Sequence, residues 1–191
     1  MLGLYIGIIL LLNIPYVQHR MSVLVAKELS TVLGSELTVG RINIGLLNRI
    51  IIDDLVLNDQ SGKELLKIGR LSAKFEILPL FSGKISIGNV QLFSFNANLE
   101  RPTPQASTNF QFVLDAFASK DTVKKKSNLD LRINSLLIRR GKVSYDVLSA
   151  ESTPGKFNPQ HIRLSNILAN ISLKALQNDS INAAIKRMSV E

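Results

Sequence analysis

One spacing of apolar residues recurs along the chain and constrains its fold more than any other feature. In the stretch 84–92 the apolar side chains stand at relative positions 0, 2, 5 and 7, as Ile85, Ile87, Val90 and Leu92. Side chains alternate between the two faces of a β-strand, so the slip of one residue between the two pairs would send them to opposite faces. A bulge or break at Gly88-Asn89 would return all four to one face, because glycine within a strand often marks a bulge.

Six further segments carry the same spacing. They are residues 37–44, 50–57, 66–73, 131–138 and 162–169, with a looser copy at 183–190. Seven copies predict many short strands, each with one apolar face and a kink or bulge near its middle. The fold class that follows is mainly β.

Composition excludes some kinds of site and partner. The chain has no cysteine, so it has neither a disulfide nor a thiolate metal site. Its net charge is 23 − 15 = +8. Most basic residues are scattered at alternate strand positions, as in Lys67, Arg70 and Lys74, which is typical of a solvated outer face. The basic run at 124–126 lies in a polar segment without aromatic residues that could stack on bases, so no nucleic-acid partner is expected.

Catalytic and metal-binding motifs are absent from the sequence. The two histidines, His19 and His161, stand in unrelated contexts, and no nucleophile elbow, phosphate-binding loop, dinucleotide fingerprint or zinc-protease motif is present. Strand ends and a turn explain Asp53, Asp54 and Asp59 better than a metal or catalytic site does. We therefore expect a protein that is not an enzyme and that has no cofactor.

Residues 2–14 are almost wholly apolar and are followed by Pro15. A helix through Val17 would span roughly 25 Å at about 1.5 Å per residue, slightly less than a hydrocarbon core of about 30 Å. Three interpretations stay open: the core of a signal peptide, a short membrane anchor, and an anchor that begins upstream. No basic residue precedes the run and no small-residue cleavage site follows it, which favours an anchor over residues 1–17. The basic residues after the run do not themselves support export of the rest of the chain.

Residues 16–34 have the spacing of an amphipathic helix, which we assign to the segment 18–35 after the anchor, and Gly34 is a typical C-cap residue. Gln18 and Ser22 would lie away from its apolar face. That face would carry Val17, Met21, Leu24, Val25, Leu29, Val32 and Leu33. The helix would lie on the membrane surface or cap the first strands. Residues 36–191 would be the N-terminal part of a repetitive β-domain, which we expect to continue because the sequence stops within a strand-like segment.

Four local features complete the prediction. Residues 58–63 have the chemistry of a turn, and residues 109–118 have the spacing of one short helix. Arg140-Gly141 is predicted to be a second turn. A strand with one wet face is predicted from the alternation of Phe93, Phe95, Ala97 and Leu99 with polar residues.

The order of these segments resembles the N-terminal end of the AsmA/TamB superfamily, in particular TamB-like proteins of the Bacteroidetes type. The resemblance covers nearly the whole chain, and the order of the motifs carries it more than any single motif. An apolar anchor runs into IPYVQ at 14–18, and an amphipathic helix ends at 33–34. These are followed by LTVGRINI at 37–44, IDDLVLND at 52–59, ISIGNVQL at 85–92 and NFQFVLDAF at 109–117. The chain departs from the family in its length and in its short anchor without upstream basic residues.

The resemblance implies a protein held in the bacterial inner membrane by a single N-terminal anchor, with its bulk in the periplasm. It also implies an elongated, curled, antiparallel-rich β-sheet that forms a groove with an apolar interior. Related grooves carry phospholipids between membranes, and TamB-like members are tied to an outer-membrane assembly partner of the Omp85 type. The family supplies no catalytic residues. The inward-facing residues expected to line the lipid groove are Val39, Ile42, Ile44, Ile52, Leu55, Leu57, Ile68, Leu71, Ile85, Ile87, Val90, Leu92, Ile133, Leu136, Ile138, Leu164 and Ile167.

A sheet with one apolar face must cover that face. The anchor and one short helix are too few to cover every strand, so the sheet either folds on itself as a sandwich or curls around acyl chains. The leading hypothesis is a groove that binds or conducts lipid. The alternatives are a scaffold that offers sheet edges during assembly or secretion of outer-membrane proteins, and a plain secreted β-sandwich. The expected partners are membrane phospholipid, the inner membrane through residues 2–17, and an outer-membrane protein of the Omp85 type.

Overall fold

The computed structural model describes the chain except for residues 1–2, 4–6, 8–9, 46–47, 76–84, 118–128, 131–134, 154, 178–179 and 191. It describes the backbone alone for 75, 85–87, 117, 129–130, 173–177 and 180–183. The described part is mainly β, as predicted. Its longer helices are α1 (Pro15–Leu33) and α2 (Gln111–Phe117). Its strands are β1 (Leu37–Gly45), β2 (Arg49–Asn58), β3 (Glu64–Phe75), β4 (Ile85–Arg101), β5 (Leu129–Asp130), β6 (Ser135–Val147), β7 (His161–Gln177) and β8 (Ser180–Ser189).

The described strands belong to one open sheet. The long strands follow the order β1-β2-β3-β4-β6-β7-β8, and the two-residue β5 pairs with the start of β4. Neighbouring strands are antiparallel, except that β4 pairs in parallel with both β5 and β6. The connection from β4 to β6 contains α2, which confirms the short helix predicted near 109–118. The prediction of an antiparallel-rich sheet is also confirmed.

A line of kinks crosses the middle of the strands. This kink line consists of Gly40, Asp54, Gly69, Ser94, Arg140 and Asn166. Its four non-glycine members have φ values between 49° and 55°, in the left-handed region. Ile68 and Ala73 are both buried although they are five residues apart, an odd separation that an unkinked strand would place on opposite faces. The predicted mid-strand kink is therefore confirmed. We call the face that carries these buried residues the inner face.

The bulge predicted at Gly88-Asn89 is present in β4. Lys74 of β3 pairs with Asn89, whereas the next residue, Phe75, pairs with Ile87. Gly88 is therefore an extra residue in its strand, and it is buried. An extra residue restores the face of the side chains that follow it, which is the role predicted for this position.

The face predicted for Phe93 is wrong. The sequence pattern placed Phe93 with Phe95 on one apolar face, but the left-handed residue Ser94 separates them and shifts the alternation by one. Phe93 lies on the outer face, where the guanidinium Cζ of Arg139 is 5.8 Å from the centre of its ring. A favourable cation–π contact thus replaces burial for this aromatic side chain.

The turn predicted at Arg140-Gly141 is also wrong, because β6 runs through both residues. The positive φ of Arg140 kinks the strand without reversing it.

The apolar spacing predicted at 131–138 is only partly described, because residues 131–134 lie outside the described part of the chain. The kinked copy in β6 instead reads Leu136, Ile138, Gly141 and Val143. A search for apolar residues misses this copy because one of its four positions is glycine. The ring of Phe95 accounts for the glycine, since a Cβ on Gly141 would overlap that ring, with Cδ1 2.8 Å away.

Helix α1 lies along the edge of β1 with which no strand of the described residues pairs. The Ser30 hydroxyl accepts a hydrogen bond from the Leu37 amide (2.9 Å) and donates one to the Leu37 carbonyl (3.2 Å). Gln18 Nε2 donates to Asn43 Oδ1 (2.6 Å). These contacts occupy an edge that would otherwise be open to another chain. The predicted C-cap is confirmed, since Gly34 has a left-handed φ of 63°.

The buried side of α1 differs from the predicted apolar face. Gln18 and Ser22 are 8% and 1% exposed, whereas Leu24 and Val32 are 61% and 56% exposed. The prediction that Gln18 and Ser22 lie away from the packed side is wrong. These two polar side chains can be buried because both are hydrogen-bonded. Gln18 binds Asn43 of β1, and the Ser22 hydroxyl donates to the Gln18 carbonyl (3.0 Å).

The first part of the chain is only partly described. Helix α1 begins at Pro15, three residues before the boundary predicted between anchor and helix, and Ile14 immediately before it is extended. Most of residues 1–9 in the predicted anchor lie outside the described part. Among the helices that the structure describes, none combines the length and the apolarity needed to cross a membrane.

The main apolar core lies where the two helices meet one end of the sheet. It is built on four buried leucines: Leu33 of α1, and Leu37, Leu57 and Leu65 of the first three strands. Partly buried residues packed around them include Leu29, Leu66, Leu99, Phe110, Phe112 and Val113. Full burial of one leucine side chain contributes about 1.5–3 kcal/mol relative to exposure. This cluster therefore fixes both helices over the same end of the sheet.

Gly141→Ala tests the packing of Phe95 against β6. The added Cβ would overlap the Phe95 ring, so we expect the free energy of unfolding to fall by about 1–3 kcal/mol in denaturant titrations. In the Phe95→Leu background the same substitution should cost clearly less, because the smaller side chain leaves room. The control is Gly45→Ala, whose Cβ would meet its nearest atom at 3.4 Å and should change stability by less than about 0.5 kcal/mol. Equal losses with and without Phe95→Leu would contradict this packing.

Candidate functional site

Four rows of apolar side chains cross the inner face of the sheet. Residues that stand opposite each other in a ladder share a face, so the register of β1 to β7 fixes these rows. In β1 to β6 the kink line passes between the second row and the third, whereas in β7 Asn166 lies between the first row and the second. The rows are Leu37-Leu57-Leu66-Ala97-Val143-Leu164, then Val39-Leu55-Ile68-Phe95-Gly141-Ile167, then Ile42-Ile52-Leu71-Leu92-Ile138-Ala169, and finally Ile44-Ile50-Ala73-Val90-Leu136-Ile171.

The structure brings most of the residues predicted to line a groove into these rows. Ile133 lies outside the described residues, and only the backbone of Ile85 and Ile87 is described. The buried members are Ile42, Leu55, Leu57, Ile68 and Ile167. The half-buried members are Val39, Ile44, Ile52, Leu71, Val90, Leu92, Leu136, Ile138 and Leu164. The residues selected by their spacing therefore form one apolar surface. The role of this surface in binding lipid stays a prediction.

Coverage of the inner face is uneven. The two helices cover the first row at β1 to β3. At the far side, Ile185 and Met188 of β8 pair with Ile171 and Ala169, so they extend the inner rows. These two side chains are 62% and 53% exposed. The described long strands all lie in one sheet, so no second sheet among them packs against the rows as the sandwich alternative requires.

The outer face is polar and basic, as predicted. Lys67, Lys74 and Arg163 are exposed on it. Arg70 Nε donates to Asp53 Oδ1 at 2.6 Å, and this hydrogen bond is the main cause of the raised pKa of Arg70. Asp53 is therefore the partner of a cation, which fits its predicted place in a strand better than a catalytic role does.

Along the kink line the outer face is hollowed into a trough. The trough consists of two adjoining depressions that share Gly69 and Arg70. The first is otherwise lined by Gly40, Arg41, Asp53 and Asp54. The second is otherwise lined by Arg49, Ile51, Ser72, Gln91, Phe93, Ser94 and Arg140. Sequence patterns did not indicate the trough, because it depends on which residues stand opposite each other. The local signal is weak: glycine, asparagine and aspartate tolerate left-handed backbone.

A second charged cluster joins the ends of β6 and β7. Asp146 Oδ1 accepts hydrogen bonds from His161 Nδ1 (2.9 Å) and Arg163 Nη1 (3.0 Å). Arg163 Nη2 also forms an ion pair with Asp146 Oδ2 (2.8 Å), and the other ring nitrogen of His161 lies 3.1 Å from the Ala150 carbonyl. Burial alone would raise the pKa of Asp146, but its two cationic partners lower it. Across the described residues, no group of three or more histidine, aspartate or glutamate side chains is placed to hold a metal ion.

The turn predicted at 58–63 is confirmed and is organised by Asp59. Its Oδ1 accepts hydrogen bonds from the Ser61 amide (2.8 Å), the Ser61 hydroxyl (2.6 Å) and the Lys63 amide (3.0 Å). Burial opposes ionisation of this carboxyl group, but these donors outweigh it, so the pKa of Asp59 is lowered. The role of Asp59 is structural, as its sequence context indicated.

Comparison with known proteins adds no assignment. No protein-family model matches the chain, and no curated protein matches it. The AsmA/TamB resemblance therefore stays a prediction. The two faces of the sheet are the features from which function has to be inferred.

His161 gives the fold a testable dependence on pH. Both ring nitrogens face acceptors, so the protonated ring is the form that donates to both, and the hydrogen bond to Asp146 is the main cause of its raised pKa. This stabilisation is fully present below the ordinary pKa of about 6.5 and is lost as the pH rises through the raised value. We expect the stability difference between wild type and His161→Gln to be largest near pH 6 and to shrink above neutral pH. His19→Gln, at an exposed position of α1, is the control. A difference that grows with pH would contradict this account.

Proposed function

We propose that the chain is the membrane-anchored end of a periplasmic groove protein that binds or conducts phospholipids between the inner and outer membranes in envelope biogenesis, without enzymatic activity. The observation that carries this proposal is the inner face of the sheet, which is apolar along four rows and only partly covered. Acyl chains are apolar and need no fixed shape. They are therefore suited to a surface that lacks a complementary protein layer.

Burial along the rows supports a replaceable ligand over a packed protein layer. Side chains in a packed core are almost fully buried, as Leu57 (3% exposed) and Leu65 (1% exposed) are beneath the helices. In the third row, Leu92 and Ile138 remain half-buried. Removing apolar surface from water contributes about 25 cal/mol per Å². Binding of an acyl chain along these rows is therefore favourable, because it covers apolar surface that the folded chain leaves exposed.

The kink line supports the proposed curl of the sheet. A residue in the left-handed region changes the direction of its strand. Here the kinks of neighbouring strands stand at the same level from Gly40 in β1 to Arg140 in β6. Bends that coincide across neighbouring strands add up, which favours a trough-shaped sheet over a flat one.

The proposed attachment to the bacterial inner membrane rests on residues 2–17. Leu10, Leu11 and Ile14 are 66%, 57% and 45% exposed. Their apolar surface is not covered by the sheet, and contact with lipid would remove it from water. The bulk of the chain is then assigned to the periplasm.

A second candidate function, assembly of outer-membrane proteins with an Omp85-type partner, is favoured by the contrast between the two sheet edges. The edge of β1 is covered by α1 through Ser30 and Gln18. No strand pairs with the outer edge of β8 among the described residues. An uncovered edge accepts a strand from another chain by main-chain hydrogen bonding.

Photo-crosslinking in cells tests the groove. Leu92 lies in the third inner row, and Asn96 of the same strand is half-buried to a similar degree on the outer face, where it pairs with Lys67 and does not line the trough. We expect a crosslinking residue at Leu92 to give phospholipid adducts in mass spectrometry, and one at Asn96 to give few. In addition, Leu92→Asp should leave a folded protein that retains less than about half of its co-purified lipid, because a half-buried carboxylate keeps part of its hydration. Adducts at Leu92 that are only intramolecular, or equal lipid adducts at both sites, would reject the groove.

The edge of β8 is tested in the same way at Ile185. The assembly role predicts adducts with another protein at this site, since an added strand would run beside it. The lipid role predicts phospholipid adducts, because Ile185 extends the fourth inner row. The outward-facing control is Arg187, which pairs with Asn170. Lipid adducts at Ile185 without protein adducts would reject strand addition at this edge.

A further inference from the structure

The trough on the outer face has a composition that the apolar rows do not explain. Its second depression is lined by three arginines, Arg49, Arg70 and Arg140, and by the hydroxyl groups of Ser72 and Ser94. No described acidic residue lines this depression. Strands β2, β3 and β6 thus direct three guanidinium groups toward one hollow in the sheet.

Two of these guanidinium groups are available to a ligand. Arg49 and Arg140 are exposed and have no hydrogen-bonding or ion-pair partner in the part of the chain that the structure describes. Arg70 binds Asp53 through Nε at 2.6 Å. This contact holds the Arg70 side chain in place and leaves its terminal nitrogens for another acceptor.

Arg140 stands at a backbone position that disfavours an ordinary side chain. Its φ of 54° lies in the left-handed region, which glycine and asparagine adopt more readily. A glycine there would relieve the strain and keep the kink. An arginine at this position instead brings a cation to the wall of the trough.

We propose that this trough binds a phosphate group, carried by a soluble phosphate or by a phospholipid headgroup. Guanidinium groups match phosphate oxygens through paired hydrogen bonds. The two depressions together are lined by four arginines and two aspartates, Asp53 and Asp54, so the trough keeps a net positive charge. A phosphate has enough oxygens for the arginines and for the hydroxyl groups of Ser72 and Ser94, whereas a carboxylate has only two. The site lies on the face opposite the apolar rows and does not rest on their proposed function.

The test follows the full chain in neutral detergent micelles by NMR at constant ionic strength, using the backbone amides of Gly69 and Ser94. Inorganic phosphate and a short-chain phosphatidic acid are the two probes. We expect saturable shifts, and we expect Arg140→Gln and Arg49→Gln each to weaken binding roughly tenfold or more, since charge-assisted hydrogen bonds are lost. Arg140→Lys keeps the charge but not the paired geometry, so it should weaken binding several-fold. Lys67→Gln removes an exposed outer-face charge away from the trough and should change affinity less than about twofold.

The outcomes separate the sources and the alternatives. Tighter binding of phosphatidic acid than of phosphate supports a lipid headgroup, and similar binding of both supports a soluble phosphate ester. Absence of saturable shifts with either probe overturns the site. An equal loss in Lys67→Gln and Arg140→Gln overturns it in favour of diffuse charge attraction. Unchanged amide signals distant from the trough show that each variant remains folded, and Arg49→Gln provides a second variant if Arg140→Gln does not.

Discussion

The alternation of side chains along a strand is the constraint on which the rest of this structure depends. Each of the strands β1 to β4 carries apolar residues in two pairs that are one residue out of step. Without a kink, one pair per strand would face water, which would forfeit about 1.5–3 kcal/mol for each large side chain. A non-glycine residue in the left-handed region costs about 1–3 kcal/mol. The gain from two side chains exceeds the strain of one residue, so strands such as β2, with Asp54 at φ 55°, keep the kink.

The kinks persist because neighbouring strands share them. The pairing of β1 with β2 keeps the same register on both sides of Gly40 and Asp54, so a kink in one strand meets a kink in the next. A kink in a single strand would interrupt two ladders and leave backbone groups unpaired. The edge of β1 is protected differently, by polar side chains of the preceding segment, including Asn13 Nδ2, which donates to the Ile44 carbonyl (2.9 Å). Polar contacts therefore hold α1 along this edge, together with the apolar core that packs around its Leu33.

The sequence predicts those parts of the fold in which the spacing of large apolar residues reflects the direction of each side chain. The spacing in 37–44, 50–57 and 66–73 predicted the mid-strand kinks, because every position of both pairs in each segment carries an apolar side chain, branched in all but Ala73. The spacing failed to predict the strand where an inner position is occupied by glycine, or where an aromatic residue lies on the solvent-exposed face. In β6 the third apolar position is Gly141, so the copy was not recognised. Phe93 is apolar but lies on the outer face, so it was wrongly placed on the inner one. Hydrophobic pattern also misjudged α1, since Gln18 is buried by a hydrogen bond to Asn43 rather than by hydrophobicity. The trough was out of reach because its arginines come from strands far apart in sequence.

The kink line gives the two faces a common origin. The same change of alternation that brings Leu92 and Phe95 to the inner face leaves Phe93 and Ser94 on the outer one, beside Arg140. Glycine at position 69 keeps the outer side of the line hollow, since a Cβ there would meet Ser94 Cβ at 3.3 Å. Filling that position would therefore act on the outer trough and on the alternation of the inner rows together. The apolar surface and the basic trough are thus two consequences of one backbone feature, and a substitution that removed the kink itself would affect both.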